Sequence, residues 1–296
     1  MKFNALSPLP VKGPFRLDLT ADALRRLASN SVDVVDGNGT YYRALADARG
    51  VSMVGVRQTQ AGGIEVQATG RDARRWIPTI ARMLGTQVDL TGWYARSAKI
   101  PWLRRLSVAF KGVKPPRYAS AWEACAHAIV FQQISIHAAS AIMRRAIEAL
   151  SEPLTVGAIA CRPFPGPERW LAANETALRA AGLSRNKVAH LHSVATAFAE
   201  GIVDDATIEA TPTPEAAQAL SRIRGLGPWS AAVVMLRGFG RLDTFPMRDS
   251  GVARAVAHLS GDAHLDLDAV LTTLGPTRGM LYYHLLLARL HPTLSP

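Results

Sequence analysis

Cysteine is nearly absent from this 296-residue chain, which holds only Cys125 and Cys161. Two thiols close at most one disulfide and cannot supply four ligands, so a disulfide framework and a four-cysteine zinc or iron–sulfur site are both excluded. Long apolar runs are missing as well, and none reaches the roughly eighteen residues that a membrane-spanning helix needs. No charged stretch followed by an apolar one opens the sequence. A cytoplasmic, nucleoid-associated location with no membrane partner is expected. Acidic residues are the scarcer sign: 23 Asp and Glu stand against 34 Lys and Arg, a formal net charge of +11. A surface of that sign attracts polyanions before any specific contact forms, which makes nucleic acid the first partner to consider. An apolar share of 48% with 19% charged residues is that of a folded globular chain, long enough for two or three domains with cores of their own. Eight histidines are present, but His190 and His192, two residues apart, do not share a helix face and have no evident carboxylate partner; no zinc site is expected.

Periodicity changes character along the chain. Residues 14–20 alternate as a strand does, and 21–28 read as a short helix capped by Thr20. Strands are predicted over 40–45, 52–58 and 64–69, the last two joined through Ala61-Gly62-Gly63 as an antiparallel hairpin. Over 71–84, Trp76, Ile77, Ile80, Ala81 and Leu84 fall on one helix face. Together these form a small α+β domain over residues 1–87. From about residue 88 strand signals stop and amphipathic helices take over. Residues 111–117 form a linker broken by two prolines, and the Pro- and Gly-rich 161–167 is a second interruption. Residues 131–135 separate two helices within 121–150, and further helices are predicted over 168–173, 175–181, 186–201 and 214–223.

One stretch organises the rest: Ile223-Arg224-Gly225-Leu226-Gly227-Pro228-Trp229-Ser230. Two glycines one residue apart, between two apolar-periodic segments, describe a tight helix-to-helix turn in conformations closed to most residues. Pro228 stands where a first helical position falls and loses nothing by lacking an N–H. The N–H groups from Gly225 through Leu226 and Gly227 to Trp229 are then free at a helix N-terminus, a site suited to a phosphate. Asp249 follows about twenty residues later, just before a helix-like stretch, where a helix N-cap and a chemical role are both open to it.

Four stretches occur in order: Phe131-Gln132-Gln133-Ile134-Ser135, Gly182 to Lys187, the Gly225–Trp229 turn, and Gly238 through Pro246 to Asp249. They resemble the helix-hairpin-helix DNA glycosylase superfamily, in its 3-methyladenine DNA glycosylase II (AlkA-like) branch, over nearly the whole chain. The resemblance implies an α+β fold: an N-terminal antiparallel-sheet domain, then two mainly α-helical subdomains, 119–241 with the hairpin and 88–118 combined with 242–296. A cleft lies between the two. It implies a monomeric, monofunctional enzyme that flips alkylated bases of the 3-methyladenine and 7-methylguanine type out of double-stranded DNA and hydrolyses the N-glycosidic bond, with Asp249 as the catalytic carboxylate. Bifunctional relatives carry a Schiff-base lysine two residues after the second glycine; here that residue is Trp229. Trp229, Val233, Phe131 and Leu274 are expected in the base pocket, which lacks the tyrosine of the branch at Val233 and its tryptophans around Leu274. Gln133 matches the wedge that fills the space of the flipped nucleotide. Arg237, Arg248, Arg185 and Lys187 flank the matched stretches as candidate phosphate contacts. No cofactor is required, but a monovalent or divalent cation held by the backbone carbonyls of Arg224 and Leu226 would bridge the hairpin to a phosphate. A glycosylase for a deaminated or oxidised base, and a non-catalytic DNA-binding protein that keeps the hairpin alone, are the alternatives.

Overall fold

Val54, Val56, Ile64, Val66 and Ala68 alternate along two strands, and the alternation places all five on one buried face. In the computed structural model, which describes residues 2–70 and 72–294, they belong to a five-stranded antiparallel sheet of order β1-β5-β4-β3-β2. The strands are β1 (Ser7–Leu9), β2 (Asp33–Val35), β3 (Tyr41–Asp47), β4 (Gly50–Gln58) and β5 (Ile64–Ala68). Val54 pairs with Ala68 and Val56 with Val66, so the predicted hairpin forms in the register that its apolar pattern requires.

Residues 14–20 do not form the expected strand. They lead into α1 (Leu17–Arg25), which starts ahead of the predicted helix, and Thr20 is not its cap. Leu17, Ala21 and Leu24 pack into a core beneath the sheet, while Leu19 and Ala23 pack into a second core among the C-terminal helices. A helix buried on two sides superposes two apolar stripes, and the sum reads as a period of two. Thr20 lies inside the helix, where its hydroxyl accepts from the backbone N–H of Lys114 at 3.2 Å.

The predicted helix over 71–84 is a 3-10 turn (Ala73–Trp76) followed by α2 (Ile77–Leu84); Arg71 lies outside the described residues. After it come α3 (Thr91–Ser97), α4 (Pro101–Ala109), α5 (Ala121–Val130) and α6 (Ile136–Leu150). A short ribbon interrupts the helices, β6 (Leu154–Val156) paired with β7 (Ile159–Cys161). Sequence periodicity places no strand there. Its Val156 and Cys161 cover Tyr42, Ala44 and Met53 on the outer face of the sheet. Then follow α7 (Pro167–Leu171), α8 (Glu175–Ala180), α9 (Arg185–Ala199), α10 (Asp205–Ala210), α11 (Thr213–Ser221), α12 (Pro228–Arg237), α13 (Ser250–Ser260), α14 (Leu267–Leu274) and α15 (Gly279–Leu290). The architecture is α+β.

Two large cores organise these elements. One joins the sheet to α5, α9 and α12; the other joins residues 90–113 to residues 236–288. Helix α5 is buried along its whole length and therefore fixes the direction in which its last residue delivers the chain. Inside α15, His284 is enclosed between Trp93 and Phe110, with ring centroids 4.7 and 6.1 Å away, and its Nδ1–H donates to the Met280 carbonyl at 2.9 Å. Burial lowers its pKa to about 4, and the neutral ring packs inside the second core.

Candidate active site

The predicted turn joins α11 to α12. Gly225 has φ +101, and a Cβ added there would lie 2.5 Å from the Cβ of His190 on α9, so this position admits glycine alone. Gly227 is different. Its φ is −81 as N-cap of α12, and an added Cβ would meet nothing within 4 Å. The second glycine keeps the space in front of the helix end open instead of satisfying a backbone demand. No side chain caps α12, and Pro228 occupies its first turn. The Leu226 side chain is buried and its N–H donates to the Ile223 carbonyl at 3.0 Å. Among the described residues the carbonyls of Arg224 and Leu226 accept no hydrogen bond. Gly225→Ala is expected to destabilise the fold by roughly 2–4 kcal/mol, through the positive φ and the overlap with His190. Gly227→Ala should leave the urea midpoint of unfolding unchanged. Equal losses from the two substitutions would contradict this division.

The turn is tied to the loop between α5 and α6. The Gln132 side-chain amide donates to the Gly225 carbonyl at 2.9 Å and to the Ser230 hydroxyl at 2.7 Å. Lys187, on α9, donates its ammonium to the carbonyls of Val130 and Gln132 at 2.7 and 3.0 Å, and burial lowers its pKa. Lys187 is therefore a cap on the C-terminal end of α5 that holds the loop, which removes it from the candidate phosphate contacts. Arg185 remains exposed at the start of α9. The loop projects Gln133, exposed and held at φ +59.

Asp249 caps α13. Its Oδ1 accepts from the N–H groups of Gly251 and Val252 at 2.8 and 3.2 Å, while Oδ2 accepts from the indole N–H of Trp229 at 3.1 Å. The cap and the chemical role are thus compatible, because one oxygen anchors the side chain to the helix and the other joins the residue after Pro228. Arg248 precedes it, exposed, at φ +60.

These residues surround a cleft of about 820 Å³. Phe131, Trp229 and Val233 give it apolar walls, Gln133, Gly227 and Arg248 lie along it, and Asp249 is the sole carboxylate among its described lining residues. Four arginines line it, two of them Arg254 and Arg289, whereas no described lysine does. Such a cleft presents one negative group, beside aromatic faces, to whatever enters. His127, stacked on Tyr118 with centroids 4.3 Å apart, lines it too, and burial together with the charge of Arg26 pushes its pKa well below the ordinary range.

Two expected site residues are elsewhere. Leu274 is fully buried in the second core and does not reach the cleft. Arg237 is fully buried as well: it donates to the carbonyls of Ala23 and Leu24 at 2.9 and 3.3 Å, and its guanidinium carbon is 4.8 Å from the centroid of Tyr118. It satisfies the C-terminal carbonyls of α1 and is closed to a phosphate. Sequence periodicity missed Arg26, His127 and Tyr282, which come to the cleft from three separate elements and share no local pattern.

Residues 126–268 match the family model described as "HhH-GPD superfamily base excision DNA repair protein". The chain is 22% identical over 218 residues to the DNA-3-methyladenine glycosylase of Bacillus subtilis, across 72% of each. With DNA-3-methyladenine glycosylase 2 of Escherichia coli it shares 31% identity over 147 residues, 48% of this chain and 50% of that one. A solved structure, the 3-methyladenine DNA-glycosylase from Archaeoglobus fulgidus, has the same fold, with a TM-score of 0.80 at 23% identity over 96% of this chain and 98% of the other. The family match begins in α5 and ends in α14, and it encloses the hairpin, the α5–α6 loop and Asp249. Residues 126–268 of this chain are a domain of the HhH-GPD superfamily of base excision DNA repair proteins.

Proposed function

We propose that the protein is a monofunctional DNA glycosylase that takes alkylated bases of the 3-methyladenine and 7-methylguanine type out of duplex DNA and hydrolyses their N-glycosidic bond, initiating base excision repair. The observation that carries this reading is the pair made by Asp249 and Trp229: a carboxylate capped onto α13, with its second oxygen hydrogen-bonded to an indole on the same cleft. When the bond between C1′ and the base breaks, its electrons leave with the base and positive charge develops on the deoxyribose. A cationic alkylated base becomes neutral on leaving and needs no acid. Asp249 stabilises the sugar cation and takes the proton of the water that attacks C1′, leaving an abasic site. Trp229 stacks on the electron-poor base, and Phe131 and Val233 close around it.

Strand cleavage by a Schiff base needs a free amine in the cleft. Lys187 does not line the cleft and its ammonium is bound by two carbonyls, which supports an intact strand after base release. The open N–H groups at Gly227 and beyond hold a DNA phosphate, Arg248 contacts another, and Gln133 fills the place of the flipped nucleotide. Two carbonyls without hydrogen bonds among the described residues, on Arg224 and Leu226, fit a monovalent or divalent cation that would add positive charge beside the phosphate. The protein acts as a monomer on the DNA of the nucleoid.

Incubation with methylated duplex DNA, with free bases and nicks scored before and after alkali, tests the reading. Methylpurines should be released, and nicks should appear only after alkali. Nicking without alkali would refute monofunctional action, and tight duplex binding with no base release would make the chain a binding protein.

A further inference from the structure

Arg26 reaches the cleft from the N-terminal part of the chain. It follows the last residue of α1 with φ 64 and ψ −61, and the N–H of Leu27 donates to the Arg25 carbonyl at 2.8 Å across it. This is a γ-turn of the rare strained kind, centred on a residue with a Cβ. The turn carries the side chain away from the α1 axis and against Phe131, with the guanidinium carbon 4.0 Å above the ring centroid. Arg26 is 8% exposed, lines the cleft, and its enclosed Nη1 has no hydrogen-bond partner among the described residues. A buried donor without a partner is costly, and a guanidinium offers donors only, in a fixed plane.

We propose that Arg26 is a specificity-determining residue that donates to the carbonyl at the 6-position of the flipped purine, so that the pocket favours 6-oxopurines over 6-aminopurines. The inference rests on the reading of the cleft as a base pocket. A 6-oxopurine presents an acceptor along this edge, whereas a 6-aminopurine presents an N–H₂ donor and leaves two donors facing each other. The charge of Arg26 does not separate the two methylated bases, since 7-methylguanine and 3-methyladenine are both cationic in DNA. Hydrogen-bond polarity does.

The test is a competition within one methylated duplex, with the ratio of released 7-methylguanine to 3-methyladenine measured for wild type, Arg26→Met and Arg26→Lys, alongside a duplex carrying hypoxanthine. A ratio taken within one sample is independent of the fraction of folded enzyme. Methionine keeps an unbranched apolar stem without the guanidinium, and both variants keep a side chain with a Cβ on the same strained backbone. Arg26→Met should lower the ratio about tenfold or more and reduce hypoxanthine excision by a similar factor, with 3-methyladenine release nearly unchanged. Arg26→Lys, which keeps the charge but loses the planar fork, should fall between. An unchanged ratio in Arg26→Met would overturn the proposal, as would an equal fall in both bases. Wild-type excision of hypoxanthine without either methylpurine, lost in Arg26→Met, would uphold Arg26 while overturning the alkylated-base reading. Release of none of the three would overturn both.

Discussion

Asp249→Asn should slow single-turnover release of methylpurines by about 10³-fold or more while leaving the protein folded. The removed term is the electrostatic stabilisation of charge on the sugar, together with the only carboxylate among the described residues of the cleft able to accept a proton from water. Stability follows different rules. Asparagine caps a helix about as well as aspartate, so the N–H groups of Gly251 and Val252 keep their acceptor. The amide nitrogen then faces the Trp229 indole N–H in place of Oδ2, two donors at a contact now 3.1 Å long, at a cost of about 1 kcal/mol. A thermal midpoint within a few degrees of wild type is expected. Asp249→Ala should lose the cap as well and fall further. Retention of a tenth of the wild-type rate by Asp249→Asn would remove Asp249 from the chemistry and leave it as a cap.

Arg43→Met should have the largest effect on stability, a loss of about 3–5 kcal/mol. Arg43 on β3 donates to Asp33 at 2.6 Å and to Glu123 on α5 at 2.5 Å, and all three side chains are 1% exposed. Tyr41 adds a hydroxyl to Asp33 at 2.7 Å. Removing the cation strands two carboxylates in a closed interior, and the thermal midpoint should fall by roughly 10 °C. Adding Asp33→Asn and Glu123→Gln should recover part of the loss, because the uncompensated charges go with them. The bridge lies within the first core and ties positions 80 residues apart, from the sheet to the helix whose C-terminal end presents His127 and Phe131 to the cleft. A loss below 1 kcal/mol in urea unfolding would show that the bridge does not hold α5 against the sheet.

What was legible in the sequence is what depends on neighbours along the chain. The hairpin could be read because Gly225 and Pro228 carry their conformational preferences locally, and Asp249 because a capping side chain acts within three residues. The β4–β5 hairpin was equally local. Failures came where distant contacts decide. The three-residue strands β1, β2, β6 and β7 exist through their partners and carry too little pattern to announce themselves. The first turn of α1, within residues 14–20, reads as a strand because the helix serves two cores, while its second half reads as the helix that it is. Arg237 reads as a phosphate contact because it flanks the matched stretches, yet it is spent on the carbonyl end of α1. Lys187 was misplaced for the same reason. Arg26 left no trace, since the γ-turn that aims it carries no residue that favours a positive φ and its contact, Phe131, lies more than a hundred residues away.

The central claim is that Asp249 stabilises positive charge at the sugar of a nucleotide held in the cleft. Its most direct test is the affinity for two duplexes: one with a cationic pyrrolidine in place of a single deoxyribose, the other with the neutral tetrahydrofuran. A mimic of the charged transition state should bind wild type about a hundredfold tighter than its neutral counterpart, and Asp249→Asn should abolish that difference while binding the neutral duplex as before. Equal affinity of wild type for the two duplexes would contradict the claim.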